Sequence, residues 1–233
     1  AISCHCLILH KKEKHTEEES MKFAVAYSCG KDSTLALHKM MEQGHEPVGL
    51  IVMINETMER SYFHGADENM LNQYSEALGI PLIPCLTKGE DYHINFETGL
   101  RKAKSMGAEA VCFGDIDIIQ NRQWEEERCS NTGLIPIFPL WQIGRKENVH
   151  EMIQLGYKCL IKSINMNLLP KTLLGKYLDE ESVSVMEMAN IDICGENGEY
   201  HTLAVDGPIF KKALDFYVGD IIEFGDYAVI DVR

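Results

Sequence analysis

Between Lys22 and Ile116 the chain alternates between short apolar runs and amphipathic stretches. "KFAVAYS", "EPVGLIVMIN", "IPLIPCLT" and "AEAVCFGDI" have the length and composition of strands. Between them, "STLALHKMMEQG", "ADENMLNQYSEALG" and "HINFETGLRKAKSMG" carry the helical period, with closing glycines such as Gly44 and Gly79. Strands that are apolar throughout, each followed by a helix, predict a parallel sheet covered by helices on both faces. Right-handed crossovers then bring the C-terminal ends of the strands to one edge, where such sheets bind ligands.

The rhythm changes after Gly133. "IPIFPLWQIG" holds two prolines and a tryptophan and reads as a connection. "ENVHEMIQLG" reads as a short helix, "YKCLIKSINM" as a strand and "LDEESVSVMEMAN" as a helix. Two short strands are expected around "GDIIEFGDYAVIDVR". The expected organisation is a first domain over residues 21–133 and a smaller mixed α/β domain over 134–233. Residues 1–20 differ from the rest. They lack the basic start and long apolar core of a signal peptide, and are expected to form a disordered leader ahead of Met21. Cys4, His5, Cys6, His10 and His15 are metal-ligand types there, without the pattern of a packed site.

A chain of 233 residues buries a sizeable core without disulfides. Its eight cysteines are scattered, several within apolar runs, and none forms a CxxC pair. That usage points to a reducing, cytoplasmic setting. With 22 basic and 36 acidic residues the net charge is −14, which argues against loose binding to nucleic acid backbones. No apolar run approaches the ~20 residues of a membrane span.

The densest local signal is "SCGKDS", Ser28 to Ser33, where the first strand hands over to the first helix. Backbone N–H groups at a helix start, aided by the helix dipole, make an anion site. Gly30 permits close approach, Ser28 and Ser33 offer hydroxyls and Lys31 a cation. The bland alternative is a capped helix start with incidental polar residues. It is not a Walker A loop, because Asp32 separates Lys31 from Ser33 and Val25 stands at the first glycine position; nor is it G-x-G-x-x-G.

Two further stretches carry candidate chemistry. Gly114 and Asp115 stand at the end of the fourth strand, and Arg122, Trp124 and Glu126 follow in helical register. Their alternative reading is a charged, solvent-facing helix. In "CGENGEYHTLAVDGPIF" the acids Glu196 and Glu199 and His201 crowd a glycine-rich turn, with Asn197, Gly198, Tyr200 and Thr202 beside them. Strand alternation would put Glu199 and His201 on one face, suited to acid–base work. The alternative is a turn followed by an edge strand with exposed charges.

"SCGKDS" resembles the pyrophosphate loop, S-G-G-x-D-S, of the N-type ATP pyrophosphatases, with Cys29 in place of the middle glycine. "SYFHGADENMLNQYSEALGIPL", "GDID", "NRQWEEERC", "GLIPIFPLW", "LLGKYLD" and "CGENGEYHTLAVDGPIF" extend the likeness from Met21 to Phe210. Together they resemble the diphthine–ammonia ligase family, in a "GDID…R-W-E" form similar to its bacterial branch. The resemblance implies the HUP-like, adenine nucleotide alpha-hydrolase type of α/β fold. It also implies adenylation of a carboxylate by ATP with Mg²⁺, release of pyrophosphate, and amidation by ammonia. The implied acceptor is diphthine, a modified histidine on elongation factor 2, where the source makes it. The implied nucleotide site is Ser28, Cys29, Gly30, Lys31, Asp32, Ser33, His64, Gly114 and Asp115, with Asp32 and Asp115 for the metal. Arg122, Trp124, Glu126 and residues 196–202 would meet the acceptor, with Lys31 and Asp32 catalytic; a catalytic role for Glu199 and His201, receiving ammonia or its proton, is inferred from their chemistry rather than from the likeness. The expected partners are ATP, ammonia and the acceptor, with no membrane and no nucleic acid; a homodimer stays open. Two other readings stay open: a tRNA-modifying ATP pyrophosphatase, marked by paired cysteines, and a nucleotide-binding regulatory module, marked by bound ATP that is never cleaved.

Overall fold

The computed structural model describes residues 20–233, so the leader expectations, including those for Cys4 and Cys6, lie outside the described residues. The first half runs β1 (Lys22–Ala26), α1 (Lys31–Glu42), β2 (Glu46–Asn55), β3 (Arg60–Ser61), α2 (Glu68–Leu78), β4 (Leu82–Thr87), α3 (Tyr92–Ser105), β5 (Ala110–Cys112), α4 (Ile119–Thr132) and β6 (Ile135–Ile137). The second runs α5 (Arg145–Gln154), β7 (Lys158–Asn165), α6 (Glu180–Met188), β8 (Tyr200–Asp206), β9 (Val218–Phe224) and β10 (Tyr227–Val232).

The parallel sheet is present. β4, β2, β1, β5 and β6 lie side by side and all parallel, and the short β3 pairs antiparallel with the end of β2. The chain builds outward from β1 through β2 to β4, then returns to add β5 and β6 on the other side. The direction of building therefore switches between β1 and β5, which opens a crevice at their C-terminal ends.

Both faces of the sheet are covered. In β1, Phe23 and Val25 enter one apolar cluster with Leu35 and Met70 of α1 and α2, while Ala24 enters another with Phe96 and Leu100 of α3. That alternation is the pleat acting on a strand buried on both sides. Local chemistry sets the helix ends. Asp67 accepts from the Met70 N–H at the start of α2, and Gly79, at φ 69°, closes it in the left-handed conformation.

The second sheet is antiparallel, in the order β8, β7, β10, β9. Its Cys159, Ile161, Leu203 and Val205 join the cluster that holds α1 and α2, so it packs over that face. β8 is the edge strand, and its free side is met by the loop after β1. The Ala204 N–H donates to the Cys29 carbonyl at 2.9 Å, and the Lys31 N–H to Thr202 Oγ1 at 3.2 Å. One reading needs correcting. The proline-containing stretch taken as a connection begins with a strand, because Ile135–Ile137 pairs parallel with β5 at the sheet edge. A proline is tolerated there, where one side of the strand is unpaired.

Candidate active site

At the crevice a cleft of about 700 Å³ opens between the two sheets. The loop Ser28–Gly30 enters α1, whose first turn is Lys31, Asp32 and Ser33. Among the described residues no acceptor takes the N–H groups of Asp32 and Ser33. They are the orphan donors of a helix start, in residues that line the cleft. Ser28 and Ser33 share a hydroxyl–hydroxyl hydrogen bond of 3.1 Å at its base. Lys31 is buried, its Nζ donating to Asp32 Oδ2 at 2.7 Å and lying 5.6 Å from the Tyr200 ring centre. Burial alone would lower its pKa, but Asp32 and the other acids around it hold it above the ordinary range.

Position 29 explains why a glycine suits the loop. Cys29 sits at φ 73°, a left-handed conformation that costs a side-chain-bearing residue roughly 1–2 kcal/mol. Its thiol is buried in the core, and burial pushes its pKa upward. The side chain therefore does not reach the cleft; only the carbonyl takes part, accepting from Ala204. Gly30 is required by His64, whose Cε1 lies 2.4 Å from where a Cβ would stand. His64 Nδ1 donates to the Thr202 carbonyl at 2.7 Å, which leaves Nε2 as an acceptor. Burial, then His201, bring its pKa down to about 3; burial, then Lys31, lower that of His201. Both rings are neutral at pH 7, with centres 5.2 Å apart.

The glycine-rich turn divides its acids. Glu196 borders the cleft, whereas Glu199 does not. Both Glu199 oxygens are taken by Asn197, one by its backbone N–H at 2.9 Å and one by its side-chain amide at 3.0 Å. The two therefore brace the turn, and the expected pairing of Glu199 with His201 in the cleft is not what the geometry shows. Burial, then Asp32, push Glu196 up to about 7. Glu196, Asp32 and Cys194 offer donor atoms within 4.8 Å of one another.

On α4 the side chains also part company. Trp124 lines the cleft with Gly114, Asp115 and Asn121, but Arg122 and Glu126 do not. Arg122 Nε donates to Glu126 at 2.7 Å, and its guanidinium lies 4.8 Å and 4.6 Å from the Phe138 and Trp141 ring centres. It packs against the segment between the sheets. Sequence reasoning missed Glu125, which is buried against the cleft with Oε2 unpartnered. Burial, then the neighbouring Asp115, push its acid up to about 11, so it stands protonated at neutral pH. It also missed the rings of Tyr62, Phe63 and Tyr92 at the cleft, although Tyr62 and Phe63 sit beside His64 in "SYFH".

A helix start at the switch point of a parallel sheet, with a second sheet docked on its loop, defines a two-sheet α/β protein with a cleft at that helix start. Family comparison narrows this class. The model described as "Diphthamide synthase N-terminal domain" matches residues 21–136, and that described as "Diphthamide synthase C-terminal domain" matches residues 145–232. The chain belongs to the diphthamide synthase family. Among curated relatives, the diphthine–ammonia ligase of Danio rerio is 28% identical over 218 residues, covering 83% of this chain and 86% of that protein. The diphthine–ammonia ligase of Bos taurus is 26% identical over 219 residues, covering 83% and 82%. A tRNA-specific 2-thiouridylase of Acidothermus cellulolyticus is 26% identical over 172 residues, covering 58% of this chain and 47% of that protein. Among the described residues no helix is long and apolar enough to cross a membrane.

Proposed function

We propose that this chain is an ATP-dependent ligase that adenylates a carboxylate, releases pyrophosphate and forms an amide with ammonia. The observation that carries the reading is the open first turn of α1, with Lys31 buried beside it, at the switch point between β1 and β5. Held there by the Asp32 and Ser33 amides, the Ser28 and Ser33 hydroxyls and Lys31, the β and γ phosphates become the leaving group. The acceptor carboxylate oxygen attacks the α phosphorus, and the bond to the bridging oxygen breaks toward pyrophosphate. Ammonia then attacks the acyl carbon, AMP leaves, and one proton is lost from nitrogen. His201, neutral and lining the cleft, is placed to take that proton. His64 orients the Thr202 side of β8 rather than titrating.

Magnesium fits the donors present. Asp32 and Glu196 are two hard oxygen donors close together, whereas the protonated Cys194 thiol between them does not suit the ion. Asp32 and Glu196 would hold it, with Asp115 bordering the same cleft. When bound it supplies charge neutralisation for the departing pyrophosphate.

The names of the Danio rerio and Bos taurus relatives support diphthine as acceptor and ammonia as nitrogen donor. The tRNA-thiolating alternative asks for reactive cysteines at the site. The six cysteines among the described residues are all buried, and none lines the cleft. The test is product analysis with α- and γ-labelled ATP, ammonium and diphthine-bearing elongation factor 2. Labelled AMP and pyrophosphate, dependent on both co-substrates, are expected. ADP as the main product refutes the reading, and ATP bound but never cleaved identifies a regulatory module instead.

A further inference from the structure

Two loops from different halves of the molecule border the cleft. One follows β5 and carries Gly114, Asp115 and Ile118; the other is the turn that presents Glu196. Arg145, the first residue of α5, bonds to both. Its Nε and Nη2 donate to the two oxygens of Asp117 at 2.7 and 2.8 Å. Its Nη1 donates to Asp192 Oδ2 at 2.5 Å. Asp192 in turn accepts the Cys194 N–H at 2.9 Å and the Glu196 N–H at 3.3 Å. One guanidinium thus links the loop after β5 to the backbone that aims Glu196.

The chemistry asks for arginine. A planar fork can take both oxygens of one carboxylate and still reach a second acid, which a lysine ammonium on one point cannot do with the same geometry. Arg145 itself stays outside the cleft, so it has no direct contact to offer a substrate there. The neighbouring backbone adds to the joint, since the Gln142 N–H donates to the Ile116 carbonyl at 2.8 Å.

We propose that Arg145 is a positioning residue: it locks the Glu196 turn to the loop after β5 and so sets the spacing between Glu196 and Asp115, the acids that the two loops bring to the cleft. The functional half of this rests on the ligase reading; the lock itself does not. Misplacing reacting groups by about 1 Å costs on the order of a hundredfold in rate, while the α1 amides that hold ATP are left intact.

The experiment compares wild type with Arg145→Ala and Arg145→Lys, reading three quantities on each. They are amide hydrogen exchange of the 192–199 turn, ATP affinity, and AMP formation with and without millimolar guanidinium. For Arg145→Ala, faster exchange at Cys194 and Glu196 is expected, with ATP affinity measured without magnesium unchanged within about twofold and kcat down about a hundredfold. Added guanidinium should restore part of the rate, and lysine should restore little. Should the alanine variant fail to fold, Asp117→Asn weakens the same grip and is read in the same way. Unchanged exchange overturns the lock, whether or not the protein turns over ATP. Faster exchange with full turnover overturns its role in the reaction. If wild type forms no AMP, the ligase reading fails, and the exchange data still decide the lock.

Discussion

A Cβ placed on Gly114 would stand 2.7 Å from the backbone nitrogen of Ser33. The end of β5 and the first turn of α1 therefore touch backbone to backbone, and the contact is made at the amides assigned to phosphate. Gly114 is not among the positive-φ residues, so only its lack of a side chain matters. Gly114→Ala should push the helix start away from the strand end, at a cost of about 1–3 kcal/mol. ATP affinity should fall along with stability. Denaturant unfolding and nucleotide titration check this together; a stable variant with full affinity would remove α1 from the nucleotide site.

Lys31→Ala deletes the cation and leaves the backbone cradle. The expected loss is on the order of a hundredfold or more in the rate of pyrophosphate release, as for removal of one preorganised charge partner. Ser33→Ala should cost less, because a neutral hydroxyl contributes less than a charge. Steady-state pyrophosphate release orders the two variants, and the reverse order would contradict the assignment of Lys31.

Glu125 makes stability depend on pH. Its folded pKa is raised to about 11 from the usual 4.5, so the folded state holds a proton that the unfolded chain has released above about pH 4.5. The unfolded state binds fewer protons in that window, and this group's contribution to stability therefore declines as pH rises toward 11. Glu125→Gln keeps the shape and removes the titration. Its unfolding free energy should gain on wild type between pH 5 and pH 9, and parallel pH profiles would show that Glu125 ionises freely in the fold.

Glu196 and Glu199 should separate cleanly. Glu199→Ala strips the Asn197 N–H and side-chain amide of their acceptor and should cost about 1–3 kcal/mol of stability. Glu196→Gln should leave stability near wild type and raise the magnesium concentration needed for turnover. Thermal unfolding beside a magnesium titration of activity tests both. A magnesium effect in the Glu199 variant alone would reverse the assignment.

Much of the architecture was legible because it is written in neighbouring residues. The period of α1, α2 and α3 and the apolar runs of β1, β2 and β4 are local patterns. Their alternation carries the parallel sheet, and "SCGKDS" falls at a strand–helix junction as one contiguous motif. β6 was not legible, since three residues containing a proline look like a connection until β5 pairs with them. Nor was the division between Glu196 and Glu199. Strand alternation puts Glu199 and His201 on one face, but β8 begins only at Tyr200, and Asn197 turns the Glu199 carboxylate into a brace.

By itself, then, the sequence determined the alternation of strands and helices in the first sheet, the strand–helix junction at Ser28–Ser33, and family membership, because propensity, period and contiguous motifs are short-range properties. Tertiary structure alone decided what meets across that helix start. The Lys31 N–H pairs with Thr202 across 171 positions, and Arg145 joins Asp117 to Asp192 across 28 and 47. Such contacts depend on how two sheets pack, and a carboxylate in the cleft and one bracing a turn are the same residue type until that packing sets burial and partner.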